Sequence, residues 1–297
     1  MRYLNLILLV LCLCACQKAD APPSTTTSLE ITTTEEAVET TVAASQSENR
    51  KADGTRLAWT DFSNYAQVDE EGYAYYMQEN PDISSEIYPL YDTGSREVLL
   101  FTFDDSPQMP EPRALEIAQQ LKAKDVNAIF LVNGMYLEGD QGKQITKEIY
   151  DMGFEIGNHT QYHPNLKELT YDQQYEEIKA TSDLVEEITG EKPRWFRPPF
   201  GLFNMDTYLI CRDLGMQLMT WNFGYDWMEE YLDGDALAAI SLDNDYLRGG
   251  ANILMHDRPW TSEAINRMVD GYREQGYHIV DPLLIKNPDP ETEEQEG

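Results

Sequence analysis

Basic residues are scarce in this chain of 297 residues: 22 lysines and arginines stand against 53 aspartates and glutamates, a formal charge of −31. Phosphate recognition needs a basic stripe, and none is visible, which argues against a nucleic-acid partner. The same balance argues against electrostatic adhesion to anionic lipid. It suits solubility, or attraction of cations and cationic polymers. Cysteine is nearly missing too. Of four cysteines, Cys12, Cys14 and Cys16 crowd the N-terminus. Cys211 alone remains in the body, so no internal disulfide can hold the fold. It lies in an apolar stretch and reads as a core residue rather than a nucleophile. A membrane-spanning run is also wanting: the apolar stretch Leu6 to Leu13 is too short to cross a bilayer. Histidine is limited to four residues, so any two close together carry weight.

What the chain does have is a hydrophobic fraction of 41% with 11% aromatics, the composition of a folded domain. Arg2, the short apolar run and a small residue before a cleavage point describe an export signal. Leu13-Cys14-Ala15-Cys16 resembles the bacterial lipobox. That resemblance implies a signal peptide over 1–16, lipidation of Cys16 and a position on the extracellular face of the bacterial membrane, held through the lipid anchor only. Residues 17–52, rich in Thr, Ser, Glu and Ala, cannot bury enough surface to fold and read as a disordered tether. The tail 287–297 is Pro- and Glu-rich and reads the same way. Residues 53–95 form an aromatic-rich extension containing Trp59, Phe62, Tyr65, Tyr73, Tyr75, Tyr76, Tyr88 and Tyr91. This segment is expected to be a strap packed on the main domain, with a sugar-stacking surface as the alternative.

A strand–helix rhythm fills 96–286. Strands are expected at Val98–Phe103, Asn127–Val132, Phe154–Gly157, Trp195–Arg197, Gln217–Trp221, Asn252–Met255 and Tyr277–Val280. Helices are expected at Glu111–Lys124, opened by Pro112, and at Gln144–Met152. A third starts from a capping box at Thr170 and Gln173 and is ended by Gly190. Three more are expected at Met205–Leu214, Asp235–Leu247 and Ser262–Gln275. Seven strands alternating with six helices predict an α/β fold with a parallel sheet, open or closed into a barrel. Both architectures place ligands at the C-terminal ends of the strands.

Those ends carry the chemistry. Asp104-Asp105-Ser106-Pro107 follows the first strand. Adjacent carboxylates share a site only if the strand bends there, and a cation or a proton must then relieve their repulsion. A solvated turn is the other reading. His159 and His163, four apart, would lie on one face of a helical turn and could grip one metal. Arg197-Pro198-Pro199-Phe200-Gly201 offers a rigid loop with a guanidinium fork. Asp226-Trp227 follows the fifth strand. Leu254-Met255-His256-Asp257 places a candidate acid or base at the end of the sixth. His278, inside the last strand, reads as packing or surface. Two histidines, an aspartate, a spare carboxylate, a further histidine and an arginine are what metal-assisted hydrolysis of an amide or ester requires.

In this order, Thr102–Pro107, His159–His163, Arg197–Gly201, Asp226-Trp227 and Leu254–Asp257 resemble the five motifs of the polysaccharide deacetylases. This is carbohydrate esterase family 4, with the homology domain of the nodulation chitooligosaccharide deacetylase. The resemblance implies a distorted (β/α) barrel with about seven parallel strands. It implies a divalent metal, zinc first and cobalt, nickel or manganese as alternatives, on Asp105, His159 and His163. It makes Asp104 the general base and His256 the general acid. Arg197 would hold Asp104, and Asp226 would orient His256. Phe200 would offer its backbone N–H to the oxyanion, and Trp227 and Leu254 would wall the acetyl pocket. Ser106 and Phe200 depart from the commoner Gly and Tyr, and the residues between Trp221 and Trp227 depart from the usual pattern. The expected activity is N-deacetylation of a cell-wall glycan by a monomer. N-acetylglucosamine of peptidoglycan is the first choice of sugar, N-acetylmuramic acid the second and chitin oligomers the third. A non-catalytic glycan-binding lipoprotein, a metal-capturing lipoprotein and an O-deacetylase are the competing readings.

Overall fold

The computed structural model describes residues 56–62, 66–78 and 85–287. The signal peptide, the tether, Tyr65 and Cys16 lie outside the described residues, as does the tail beyond Asn287. Among those described, no helix is long and apolar enough to cross a membrane.

Three short strands, β1 (Tyr75–Met77), β2 (Ile87–Pro89) and β10 (Ile285–Lys286), form a small sheet in the order β10-β1-β2. The main sheet is parallel and contains β3 (Val98–Ser106), β4 (Ile129–Val132), β5 (Glu155–Asn158), β6 (Trp195–Phe196), β7 (Gln217–Leu218), β8 (Ala251–His256) and β9 (His278–Ile279). Its order is β7-β6-β5-β4-β3-β8, with β9 also paired to β3. Six helices alternate with these strands: α1 (Ala114–Lys122), α2 (Asp140–Asp151), α3 (Tyr171–Thr189), α4 (Met205–Asp213), α5 (Gly234–Leu242) and α6 (Pro259–Glu274). The result is the expected α/β fold, a curled parallel sheet forming a distorted, incomplete barrel.

The two-residue period of a strand explains where the site falls. On β3, Leu99, Phe101 and Phe103 join the core beneath the helices, while Val98 and Leu100 join the cluster inside the barrel. That inner cluster also takes Ile129, Leu131 and Trp195. Gly157 belongs to the same face, and a Cβ there would come within 3.0 Å of Leu131 and 3.2 Å of Trp195. Further up each strand the inward positions turn polar. Thr102 and Asp104 on β3, Asn252 and His256 on β8, and Arg197 just past β6 continue the same alternation. The barrel is therefore sealed by hydrocarbon below and opens into buried chemistry above.

The described residues of the aromatic-rich extension pack on the main domain. Phe62, Tyr75 and Ile87 are buried in the inner cluster, closing the barrel. Trp59 donates to the Gly153 carbonyl at 3.2 Å, and Lys122 lies 3.4 Å over its ring. Arg56 pairs with buried Glu155, which also accepts from Arg194 at 2.9 Å and from Trp195 at 3.1 Å. Burial alone would push the Glu155 carboxyl up, but Arg194 and Arg56 outweigh it and hold the pKa below the usual range. A depressed carboxylate contributes stability above its unfolded pKa and loses it as pH falls through the folded value. Removing its charge takes a buried carboxylate from two guanidiniums, so Glu155→Gln is expected to lower stability by about 3 kcal/mol. The effect should be largest at neutral pH and shrink in acid, as read by thermal melts across pH.

Several boundaries differ from expectation for identifiable reasons. α1 starts at Ala114, not Glu111, and the Arg113 N–H at its N-cap donates to the Asp257 carboxylate. α2 begins earlier, at Asp140, behind a 3-10 turn over Gly134–Leu137. α5 ends at Leu242 instead of Leu247, because the Asn244 side chain donates to the Ile240 and Ser241 carbonyls. α6 begins at Pro259, ahead of the expected Ser262. β7 stops at Leu218 because the chain then swings to β8, where Asn222 donates to the Asn252 carbonyl and Phe223 accepts from Leu254. α3 has the expected capping box at Thr170, and Gly190 ends it at φ 79°.

Candidate active site

Asp104 and His256 are register partners on neighbouring parallel strands. Beyond Asp104 the ladder to β4 slips between Phe103 and Ser106, and Asp105 takes φ 60°. This is the bend that lets two consecutive aspartates face one site. Asp104 is buried, and its Oδ1 accepts from Arg197 Nη1 at 2.7 Å. Arg197 Nη2 donates to the Thr220 carbonyl at 3.0 Å and to Asn252 Oδ1 at 3.1 Å, so its fork is clamped from two sides. Burial pushes the Asp104 carboxyl up. The Arg197 guanidinium, His159 and His256 more than offset this and hold it below the usual carboxylate range.

The two histidines come together in a different way from that expected. Residues 159–163 are not a helical turn: Thr160 has φ 68° and His163 φ 57°. The Asn158 side chain accepts from Thr160 N at 2.8 Å, and the Thr160 hydroxyl accepts from His163 N at 3.1 Å. An irregular loop with two left-handed residues thus folds the imidazoles to a ring separation of 4.9 Å. Asp105 Oδ1 lies 3.9 Å from His159 Nε2 and 3.7 Å from His163 Nε2. One ligand atom from each of Asp105, His159 and His163 falls within 4.8 Å of the others.

The donor chemistry of this set fits a divalent cation. His159 Nδ1 is 2.7 Å from the Arg197 carbonyl. A carbonyl can only accept, so Nδ1 carries the proton and Nε2 presents a lone pair toward Asp105. Two imidazole nitrogens and one carboxylate form a borderline donor set that leaves further positions open.

On the other flank, His256 Nδ1 meets Asp226 Oδ1 at 2.7 Å, while Asp226 Oδ2 accepts from His256 N at 2.5 Å and Thr261 Oγ1 at 2.8 Å. Trp260 Nε1 donates to the Asp226 carbonyl at 2.7 Å. Burial lowers the His256 pKa, but buried Asp226 raises it further, so the net shift is upward. Trp227 stands edge-on to His256 with ring centroids 5.5 Å apart and is 46% exposed. Phe200 is 62% exposed, packs against His163 at 4.7 Å and has φ 59°. No acceptor for its N–H is found among the described residues. Leu254 is buried between Asn252 and His256 on the inward face of β8.

Asp104, Asp105, His159, His163, Arg197, Phe200, Asp226, Trp227, Leu254 and His256 thus lie toward this one end of the barrel, whereas His278 pairs with Val98 at the other end of β3. Cys211 is buried, with its thiol pKa pushed well up by desolvation, as a core cysteine should be. Sequence reasoning missed Asn252, Thr261 and Trp260, and gave Asp257 no role of its own. Asn252 left a signal, a buried amide in phase with Leu254 and His256 on an otherwise apolar strand. Asp257 ties β8 to the loop after β3 by accepting from Gln108 N at 2.8 Å and from Arg113 N. Thr261 and Trp260 left none, since helix-start residues of these types are common.

The polysaccharide deacetylase family model matches residues 91–219. A Bacillus cereus peptidoglycan-N-acetylglucosamine deacetylase is 27% identical, over 77% of this chain and 76% of that protein. The Bacillus subtilis peptidoglycan-N-acetylmuramic acid deacetylase PdaA is 28% identical, over 64% and 72%. The chain spans about half, 48%, of Bacillus subtilis YlxY, at 30% identity. Among solved structures, a mutant of a CE4-family pseudoenzyme with restored activity superposes with a TM-score of 0.57. It is 30% identical, over 64% of this chain and 69% of that one; the wild-type pseudoenzyme is from Bacillus anthracis. The match of family model, sequence and structure places this chain in the polysaccharide deacetylase family.

Proposed function

We propose that this protein is a metal-dependent N-deacetylase of peptidoglycan amino sugars, held at the outer face of the membrane by a lipid on Cys16. The observation that carries the reading is the division of labour at the site. Asp105, His159 and His163 form a ligand set, while Asp104, clamped by Arg197 and in register with His256, is left over. Zinc is the first choice of ion, with cobalt, nickel or manganese able to occupy the same donors. When bound, the ion would polarise an acetamide carbonyl and lower the pKa of a water.

The chain's own groups then do the rest. Asp104, ionised because Arg197 holds it so, takes the proton of the attacking water. The free N–H of Phe200 donates to the oxygen that gains charge, a kind of contact that contributes about 2.7–4 kcal/mol where it has been removed by mutation. His256, kept protonated by Asp226, gives its proton to the departing amine. Trp227 and Leu254 flank the acetyl methyl. One amide and one water become acetate and a free amine. The presence of both a candidate base and a candidate acid favours an enzyme over a glycan-binding relative that has lost catalysis.

Acetate release from purified peptidoglycan, with and without chelator, tests the reading. Release that stops with chelator and returns with zinc is expected; none under any metal would sink it. The pH profile gives a second check. An acid with a raised pKa stays protonated further into the alkaline range, so activity falls only as pH rises through that pKa. Asp226→Asn removes the raising charge and leaves burial, which lowers it. The alkaline limb of kcat/KM should therefore move to lower pH in that variant. A detergent-phase protein that becomes soluble on Cys16→Ser would check the anchor.

A further inference from the structure

A cavity of about 390 Å³ lies at the end of the barrel opposite the reacting groups. Its walls come from the aromatic-rich extension, the last turns of α2 and α3 and the start of β5. Glu155 opens β5 and His159 follows its last residue, so this wall and the nearest metal-ligand histidine stand about 13 Å apart along the strand. The volume is that of a small-molecule site, about 300–1,000 Å³. The roles proposed for the metal ligands, the Asp104–Arg197 pair and the His256–Asp226 pair do not use it.

The lining selects the class of ligand. Its two guanidiniums are fully engaged by the protein. Arg56 donates through Nε to Glu191 at 3.0 Å, through Nη1 to the Gly153 and Phe154 carbonyls and through Nη2 to Glu155. Arg194 donates through Nε to Glu155 at 2.9 Å, and through its Nη atoms to the Ile285 and Pro282 carbonyls and the Asn287 side chain. With Lys192 they balance the carboxylates of Glu71, Glu155 and Glu191, so the lining as a whole has no net charge to draw in an ion. Leu57, Ile156, Val185 and Leu283 face the same space. A wholly apolar ligand would cover them but would strip water from Glu191 and Lys192 without replacing its hydrogen bonds. A neutral ring with hydroxyls at its edge and C–H groups on its faces suits both kinds of surface. Half-buried Tyr73 adds an aromatic ring to the wall, with Lys286 Nζ 5.8 Å from its centre. We propose that this cavity is a second glycan site, which holds a neutral pyranose of the wall polymer without cutting it and so keeps the enzyme on insoluble substrate. The choice of polymer rests on the deacetylase reading.

The test uses the whole chain with Asp104→Asn, so that glycan is held but little is cut, and reads the fraction that sediments with purified peptide-free wall glycan. Tyr73→Ala removes the ring, and Leu57→Trp places an indole in the cavity. Both positions are partly exposed, and thermal melts check that each variant keeps the fold. Each is expected to weaken retention about 10-fold or more, since a second contact on one polymer multiplies affinity by about 10²–10⁴. With Asp104 restored and zinc bound, the same changes should lower kcat/KM on insoluble wall by a similar factor and leave kcat/KM on soluble N-acetylglucosamine oligomers unchanged. Retention untouched by both variants, or equal losses on wall and oligomers, would overturn the proposal. Retention displaced by inorganic phosphate but not by N-acetylglucosamine tetrasaccharide would make the cavity an anion site and overturn it as well. Retention needs no turnover, so a chain that binds wall through the cavity yet releases no acetate would count against the deacetylase reading alone.

Discussion

Replacing Asp104 by Asn is expected to cut deacetylation about 10²–10⁴-fold, the range that a positioned general base contributes, while bound zinc stays at the wild-type level. The reasoning starts from the Asp104 oxygens. Oδ1 is engaged by Arg197 at 2.7 Å, and Oδ2 stands 3.6 Å from His159 Nε2, yet Asp104 is not one of the three residues whose ligand atoms all lie within 4.8 Å of one another. Asparagine keeps an oxygen for Arg197, so the fork remains paired and the local shape survives. It removes the negative charge and the basic lone pair, and nothing else in the pocket supplies them. Asp105 would be committed to the cation, and Asp226 is enclosed by His256 and Thr261. Rate constants and zinc content measured on the same preparation settle the matter. Deacetylation near the wild-type rate would refute Asp104 as the base; loss of zinc would make it a ligand.

His163→Ala should give the complementary result, loss of the ion together with activity. His163 belongs to a surface loop and is half-buried, whereas His159 is buried and braces the Arg197 carbonyl. Its truncation therefore spares the core. One of three protein donors disappears, and metal affinity should fall by at least the ~100-fold that loss of a mere outer-shell partner can cost. Competition with a chromogenic chelator measures that fall without reference to catalysis. An unchanged affinity would remove His163 from the ligand set. The pair of variants separates the two functions that adjacent aspartates and nearby histidines could otherwise share. Asp104→Asn is expected to be dead with metal, His163→Ala dead for want of it.

How much of this was legible beforehand can be judged residue by residue. Strand–helix alternation, read from short apolar runs and from Gly and Pro punctuation, was enough for a parallel α/β sheet and its order along the chain. It also located the strand ends where chemistry collects, because backbone geometry obliges loops at that edge to hold ligands. The capping box at Thr170 and the stop at Gly190 were readable because they depend on neighbours within a few residues. Boundaries set by particular side-chain hydrogen bonds were not. Asp257, just past the neighbouring strand β8, holds the Arg113 N–H where α1 begins, and Asn244 cuts α5 short by a side-chain choice that propensity does not foresee.

The sequence by itself determined the inventory: which residue types stand after which strand, in a chain too poor in cysteine for disulfides and too acidic to suit nucleic acid. Only the tertiary structure decided how they meet. The β3–β8 register sets Asp104 beside His256. A bulge at Asp105 and two left-handed residues in the 159–163 loop replace the helical turn that the His spacing suggested. The physical reason is the same in each case. Local order follows from near neighbours along the chain, whereas a site is made by strands brought side by side, and their register is chosen by the packing of the whole barrel.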